Sequence, residues 1–118
     1  MSYKDDIHKF IKENYHIEAD HPWENTPDYE VFRHKYNNKW FALVMNIEKK
    51  RLNIKGEGSI DTINLKCPPE LIGSLRNEKG ILPAYHMNKE HWITVLLDGT
   101  YPLENIYHLT EISYDLTK

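Results

Sequence analysis

The stretch Ile81-Leu82-Pro83-Ala84-Tyr85-His86-Met87-Asn88-Lys89-Glu90-His91-Trp92-Ile93-Thr94-Val95-Leu96-Leu97-Asp98-Gly99-Thr100 organises the reading of the whole chain. Its second half, Trp92 to Leu97, is a largely apolar run of strand length closed by the turn pair Asp98-Gly99. Its first half gathers His86, Asn88, Lys89, His91 and Trp92 within a few positions. Ile81 to His86 is expected to be extended. Asn88 is expected to cap one helical turn holding Lys89, Glu90 and His91. In that reading Trp92 fills the core and the two histidines bond backbone groups.

Upstream, Pro68 to Asn77 predicts a short helix, with proline in its first turn and Lys79-Gly80 at its end. Asp61 to Cys67 and Arg51 to Lys55 both alternate polar and apolar residues, the pattern of half-buried strands. Tyr29 to Tyr36 and Lys39 to Asn46 predict a hairpin turned by Asn37-Asn38, a pair that tolerates positive φ. The near-continuous apolar character of the second strand predicts a central position. Ser2 is a candidate N-cap for a first helix ending near Tyr15, and Pro102 opens a last helix striped by Leu103, Ile106, Tyr107, Thr110 and Tyr114. Between them, His21 to Asp28 carries two prolines and reads as a loop. The order predicts an α+β fold of two layers: an antiparallel sheet with helices on one face.

At 118 residues the chain is expected to form one domain, residues 1–118. Cys67 is its only cysteine, so no internal disulfide can form. Without a long apolar run or an apolar leader, no membrane association is expected and a cytoplasmic location is. The formal net charge of -3 conceals an uneven distribution. From Tyr29 to Lys66, eight Lys and Arg stand against four Asp and Glu, and both flanks are acidic. That basic island is the charge pattern suited to a polyanionic partner.

Phosphate neutralisation requires clustered cations. Arg33, Lys35 and Lys39 fall at alternating positions across the first hairpin, and Lys49, Lys50 and Arg51 sit at the following turn. Tyr36 and Trp40 offer π-faces beside them, which suits an unpaired base better than a closed duplex. Lysines at turns and sheet edges also serve solubility and block edge pairing. In a continuous strand His86 and His91 would point to opposite faces, and no third ligand has a sensible spacing, so no metal or other cofactor is expected. No nucleophile with a neighbouring base is recognisable, so no catalytic residue is assigned and the chain is not expected to be an enzyme. Cys67 reads as a small buried hydrophobe.

Several segments carry a family resemblance: His21-Pro22-Trp23-Glu24, Lys39-Trp40-Phe41-Ala42-Leu43, Asn64-Leu65-Lys66-Cys67 with Pro69-Glu70-Leu71, and Pro83 to Trp92 with Leu97-Asp98-Gly99. In this order they resemble the MmcQ/YjbR family of small bacterial proteins, and the His-Met-Asn-Lys-x-His-Trp string is the most specific of them. The resemblance implies a fold similar to type III secretion chaperones and a DNA-binding role through two projecting hairpins, a double wing. Here the wings would be Tyr36 to Lys39 and Asn46 to Arg51. Trp23, His86, Asn88, Lys89, His91 and Trp92 belong to the family pattern without an assigned role. The expected partner is DNA, held by Arg33, Lys35, Tyr36, Lys39, Lys49, Lys50 and Arg51. The alternatives are a protein-interaction module, forming a homodimer through a sheet edge or the Trp23 loop, and a small-ligand binder built around His86, Lys89 and His91.

Overall fold

The computed structural model describes residues 2–118. Ser2 caps the first helix, α1 (Tyr3–Tyr15), by accepting the Asp5 N–H at 3.2 Å, and the helix stops at His16 in the left-handed conformation. Five strands follow: β1 (Glu30–Arg33), β2 (Trp40–Glu48), β3 (Ser59–Lys66), β4 (Ile81–Pro83) and β5 (Trp92–Leu96). Helix α2 (Pro69–Leu75) lies between β3 and β4, and α3 (Leu103–Thr117) closes the chain. All neighbouring strands are antiparallel, in the order β1-β2-β3-β5-β4. The α+β class and the antiparallel sheet match the expectation from sequence.

The helices share one face of the sheet. Ile7 and Ile11 of α1, Ile72 of α2, and Ile106 and Leu109 of α3 pack with Phe32, Val44, Ile63, Leu65, Ile93 and Val95. Burying each such side chain contributes roughly 1.5–3 kcal/mol. A β-bulge admits one more residue to this core. Phe32 pairs with Ala42 and Arg33 with Trp40, so Phe41 has no partner on β1 and turns inward beside Ala42. There it meets the rings of Tyr15, His34 and Tyr114. Ser113 of α3 completes the irregular site: its hydroxyl donates to the Phe41 carbonyl at 2.5 Å and accepts the Lys66 N–H at 2.9 Å.

Three expectations from sequence are corrected. The strand expected over Tyr29 to Tyr36 ends at Arg33, and Lys35, Tyr36 and Asn37 form a turn. His34 leaves the strand because its ring is buried against Phe41 and Tyr114. The strand expected over Arg51 to Lys55 is instead a 3-10 turn, Lys49–Leu52, stopped by left-handed Asn53. Its polar–apolar alternation was met differently: Leu52 packs onto the sheet while its charged neighbours stay in solvent. Trp92 also differs from its expected core position, since it heads β5 only half-buried. Among the described residues no helix is long and apolar enough to cross a membrane.

His34 is 1% exposed. The Thr117 hydroxyl donates to the Ser113 carbonyl at 2.8 Å, so in the 2.7 Å contact between His34 Nε2 and Thr117 Oγ1 the imidazole N–H is the donor. His34 Nδ1 has no hydrogen-bond partner among the described residues. Burial holds the imidazole pKa below its ordinary 6.5, and the charges of Lys118 and Lys39 push the same way against a backbone contact at Tyr114. A neutral buried histidine stabilises the fold above its unfolded pKa, and that stability is lost as pH falls through the depressed folded value. The thermal midpoint, followed by circular dichroism, is expected to fall between about pH 7 and about pH 5, and His34→Gln to flatten part of that fall. The same slope in both proteins would contradict the assignment.

Candidate functional site

The face of the sheet opposite the helices has its own apolar cluster. Because β2 alternates, Leu43, Met45 and Ile47 point away from the helical core and join Val31 of β1. Among the described residues no α-helix packs on them. They are covered by loops: Tyr29, Leu52, Tyr85 and Met87 pack over this cluster, together with Trp40 of β2.

A set of buried hydrogen bonds fixes that cover. Asn64 of β3 and Thr94 of β5 are both fully buried. The Thr94 hydroxyl donates to Asn64 Oδ1 at 2.6 Å and accepts the Tyr85 N–H at 2.8 Å, while Asn64 Nδ2 donates to the Tyr85 carbonyl at 3.0 Å. The Tyr85 backbone is thereby bonded as if a further strand lay there. Immediately after it, His86 adopts φ 58°, a left-handed conformation that non-glycine residues rarely adopt. Asn88 then accepts the Glu90 N–H through Oδ1 at 2.8 Å, and its carbonyl accepts the Trp92 N–H at 2.9 Å. Asn88 thus caps the 88–91 turn as the sequence suggested.

Between the 16–29 loop and the 84–91 loop a cavity of about 500 Å³ opens on this face. The buried Leu43 and Met45 line it with Trp23, Tyr29, Trp40 and Met87, and Thr26 and the exposed His86 and Asn88 add its polar groups. Trp23 meets Trp40 edge-on at 5.6 Å and Tyr29 at 6.2 Å, and is 36% exposed. Adjoining hollows share the Tyr29 and His86 walls, and Arg51 lines both of them. Arg51 is exposed, and its guanidinium pKa is raised chiefly by the neighbouring Tyr85 phenol and then by the charge of Glu48. The Tyr29 phenol is pushed up by burial first.

The cations expected at the wings do not converge. Lys35 and Lys39 flank the turn before β2, whereas Lys49, Lys50 and Arg51 follow β2 at its other end. Those ends are about 30 Å apart at ~3.3 Å per residue. Arg33 pairs one-to-one with Asp20 at 2.7 Å, and Asp20 exchanges two backbone hydrogen bonds with Val31 along the outer edge of β1. Tyr36, 70% exposed, sits on the Lys35 turn, away from the cavity. Lys50 and Arg51 lie 3.3 and 3.7 Å from the same Glu48 carboxylate. Exposed pairs of this kind contribute about 0–1 kcal/mol, so three cations against one carboxylate remain available to a phosphate.

The dense motif also divides. His86 and Asn88 line the cavity, Lys89 lines the adjoining hollow and gives its carbonyl to Arg76, and His91 contributes its carbonyl to the Cys67 N–H at 2.9 Å. Burial pushes the Cys67 thiol up to about 11, as suits an inert core cysteine. Tyr29, Leu43, Met45 and Met87 were not anticipated as site residues. For Leu43 and Met45 the signal was the apolar run of β2, which serves both faces of the sheet; Tyr29 and Met87 come from loops and had none.

A second cluster lies at the start of β1, on the face that carries α1. The largely buried Glu30 carboxylate meets His8 Nε2 at 2.7 Å, His21 Nε2 at 3.1 Å and Lys4 Nζ at 3.7 Å. Burial pushes its pKa up, but the His8 hydrogen bond and charge, with His21 and Lys4, bring it below the ordinary 4.5. These contacts tie α1 and the 16–29 loop to the sheet. Among the described residues no group of three or more His, Cys, Asp or Glu is arranged to hold a metal ion.

Comparison with known proteins places this arrangement. The chain matches the sequence model of the YjbR family over residues 13–116. It is 49% identical over 118 residues to YyaQ of Bacillus subtilis (strain 168), covering 100% of both chains. It is 34% identical over 88 residues to YjbR of Escherichia coli (strain K12), covering 74% of this chain and 66% of that one. A Pseudomonas syringae crystal structure superposes with a TM-score of 0.95 at 50% identity, covering 98% of each chain. Deinococcus radiodurans DR2400 superposes at 0.73 with 30% identity, covering 98% of this chain and 78% of that one. None of these names carries an activity.

Asn64→Ala would leave the Thr94 hydroxyl and the Tyr85 carbonyl without their buried partner. A loss of about 1–3 kcal/mol in unfolding free energy is expected, with faster amide exchange from Tyr85 to Asn88. Unchanged exchange in that segment would show that the network does not hold the cavity wall.

Proposed function

The chain belongs to the YjbR family, and on that footing we propose that it is a non-enzymatic nucleic-acid-binding module. Its contact surface is the loop-covered face of the sheet together with the 3-10 turn Lys49–Leu52. The observation that carries the reading is the adjacency of unlike groups. Lys49, Lys50 and Arg51 stand at one end of β2, and Arg51 lines the hollows that share walls with an aromatic cavity. Cations release counterions from a phosphate backbone, and aromatic walls receive bases. Neither feature alone is specific, but a cationic rim beside exposed rings is what a single strand requires.

This reading keeps one of the two expected wings, because Lys35 and Lys39 lie at the opposite end of β2. It also favours nucleic acid over a partner recruited by strand addition. The outer edge of β1 is engaged by Asp20, and β4 is a three-residue edge strand ending in Pro83.

Anisotropy titration of labelled oligonucleotides at two or more ionic strengths tests the proposal. Binding is expected to weaken with salt, and K49A/K50A/R51A to reduce the log–log slope by about 2. K35A/K39A is expected to leave the slope unchanged. A slope that responds to Lys35 and Lys39 but not to the 3-10 turn would overturn the assignment of the surface. Absence of salt-dependent binding would overturn the function.

A further inference from the structure

We infer that the cavity walled by Trp23, Tyr29, Trp40 and Met87 receives one unpaired base, making the protein a reader of single strands. This deepens the nucleic-acid reading above and rests on it. The first argument is size and lining. A volume of about 500 Å³ falls in the range of small-ligand sites, and an apolar lining with a few polar groups is their usual composition.

The second argument concerns the rings. On the helical side, aromatic rings stack face to face on one another: Phe10 on Tyr107 at 4.3 Å and Tyr15 on Tyr114 at 3.8 Å. On the cavity side, Trp23 meets Tyr29 and Trp40 only edge-on, at 86° and 83°. Among the described residues none of these three is covered by a parallel ring. An incoming planar group can therefore stack where the protein has not.

The third argument is polarity. Asn88 Oδ1 is occupied by the Glu90 N–H, which leaves Nδ2 to donate. His86 and Thr26 add groups able to donate or accept, so the edge of a base finds partners there. His86 also holds its left-handed backbone at this site, fixed by the Asn64–Thr94 bonds one residue earlier. Non-glycine residues in such conformations concentrate at binding sites. The fourth argument is charge complementarity. Arg51 and Lys89 line the hollow on the other side of His86, where the phosphates flanking an inserted base would run. A paired base cannot enter such a cavity without leaving its helix, so the site selects an unpaired one.

The test compares three labelled probes of one length and ionic strength: a mixed-sequence single strand, the same strand in a duplex, and an abasic strand that keeps the phosphates without the bases. Anisotropy reports affinity and intrinsic tryptophan fluorescence reports the cavity. The full single strand is expected to bind at least 10-fold tighter than the other two and to quench tryptophan emission. Trp23→Ala is expected to weaken it roughly 10- to 100-fold while leaving abasic binding unchanged. Trp23→Phe, which keeps a ring, is expected to retain most of the affinity, and a wild-type melting temperature in both variants excludes misfolding. Equal binding of all three probes, indifferent to Trp23→Ala, would overturn the base site and leave the cationic reading standing. No binding of any probe would overturn both.

Discussion

The structure turns on how an antiparallel sheet with helices on a single face deals with its other face. Leu43, Met45 and Ile47 on that side are as buried as their neighbours on the helical side. Apolar groups on both faces of β2 require cover on both, and here the second cover is loop. Loops bring backbone polar groups that need partners. Asn64 and Thr94 supply them from within the sheet, bonding Tyr85 as a neighbouring strand would. The positions of His86, Met87 and Asn88 follow from those bonds, and so does the cavity between them and Trp23.

The opposite edge of the cover is fastened electrostatically. Asp20 pairs with Val31 through the backbone and with Arg33 through the side chain. Glu30 gathers His8 from α1 and His21 from the loop that carries Asp20. Trp23 therefore sits on a segment anchored at its base while its ring remains partly exposed. A binding wall that is positioned yet open loses little conformational freedom on engaging a ligand. Arg33, which composition alone would assign to a phosphate, is spent on this anchoring.

Much of the fold could be read in the sequence. Helix α1 announced itself through Ser2 and its first-turn aspartates, β5 through Ile93 to Leu96, and α3 through Pro102 and its apolar stripe. The 3-10 turn was misread because five residues of alternation are satisfied equally by a strand and by a turn that tucks in one leucine. The burial of His34 had no local signal, since its partners Phe41, Tyr114 and Thr117 come from distant positions. The separation of the two basic turns was implicit in the element order: turns that precede and follow one strand lie at its two ends. The cavity was legible only in fragments, because Trp23, Trp40 and His86 are brought together by loop paths that no periodicity describes.

The central claim is that one surface, the loop-covered face with its adjoining cationic turn, does the binding. Amide and indole chemical shifts of the labelled protein, recorded as an unlabelled single-stranded oligonucleotide is added, locate that surface residue by residue. The account predicts the largest changes at the Trp23 and Trp40 indole N–H groups, at Tyr85 to Asn88 and at Lys49 to Leu52, with Lys35 to Lys39 unmoved. Changes confined to the Lys35–Lys39 turn or to the outer faces of α1 and α3 would contradict it.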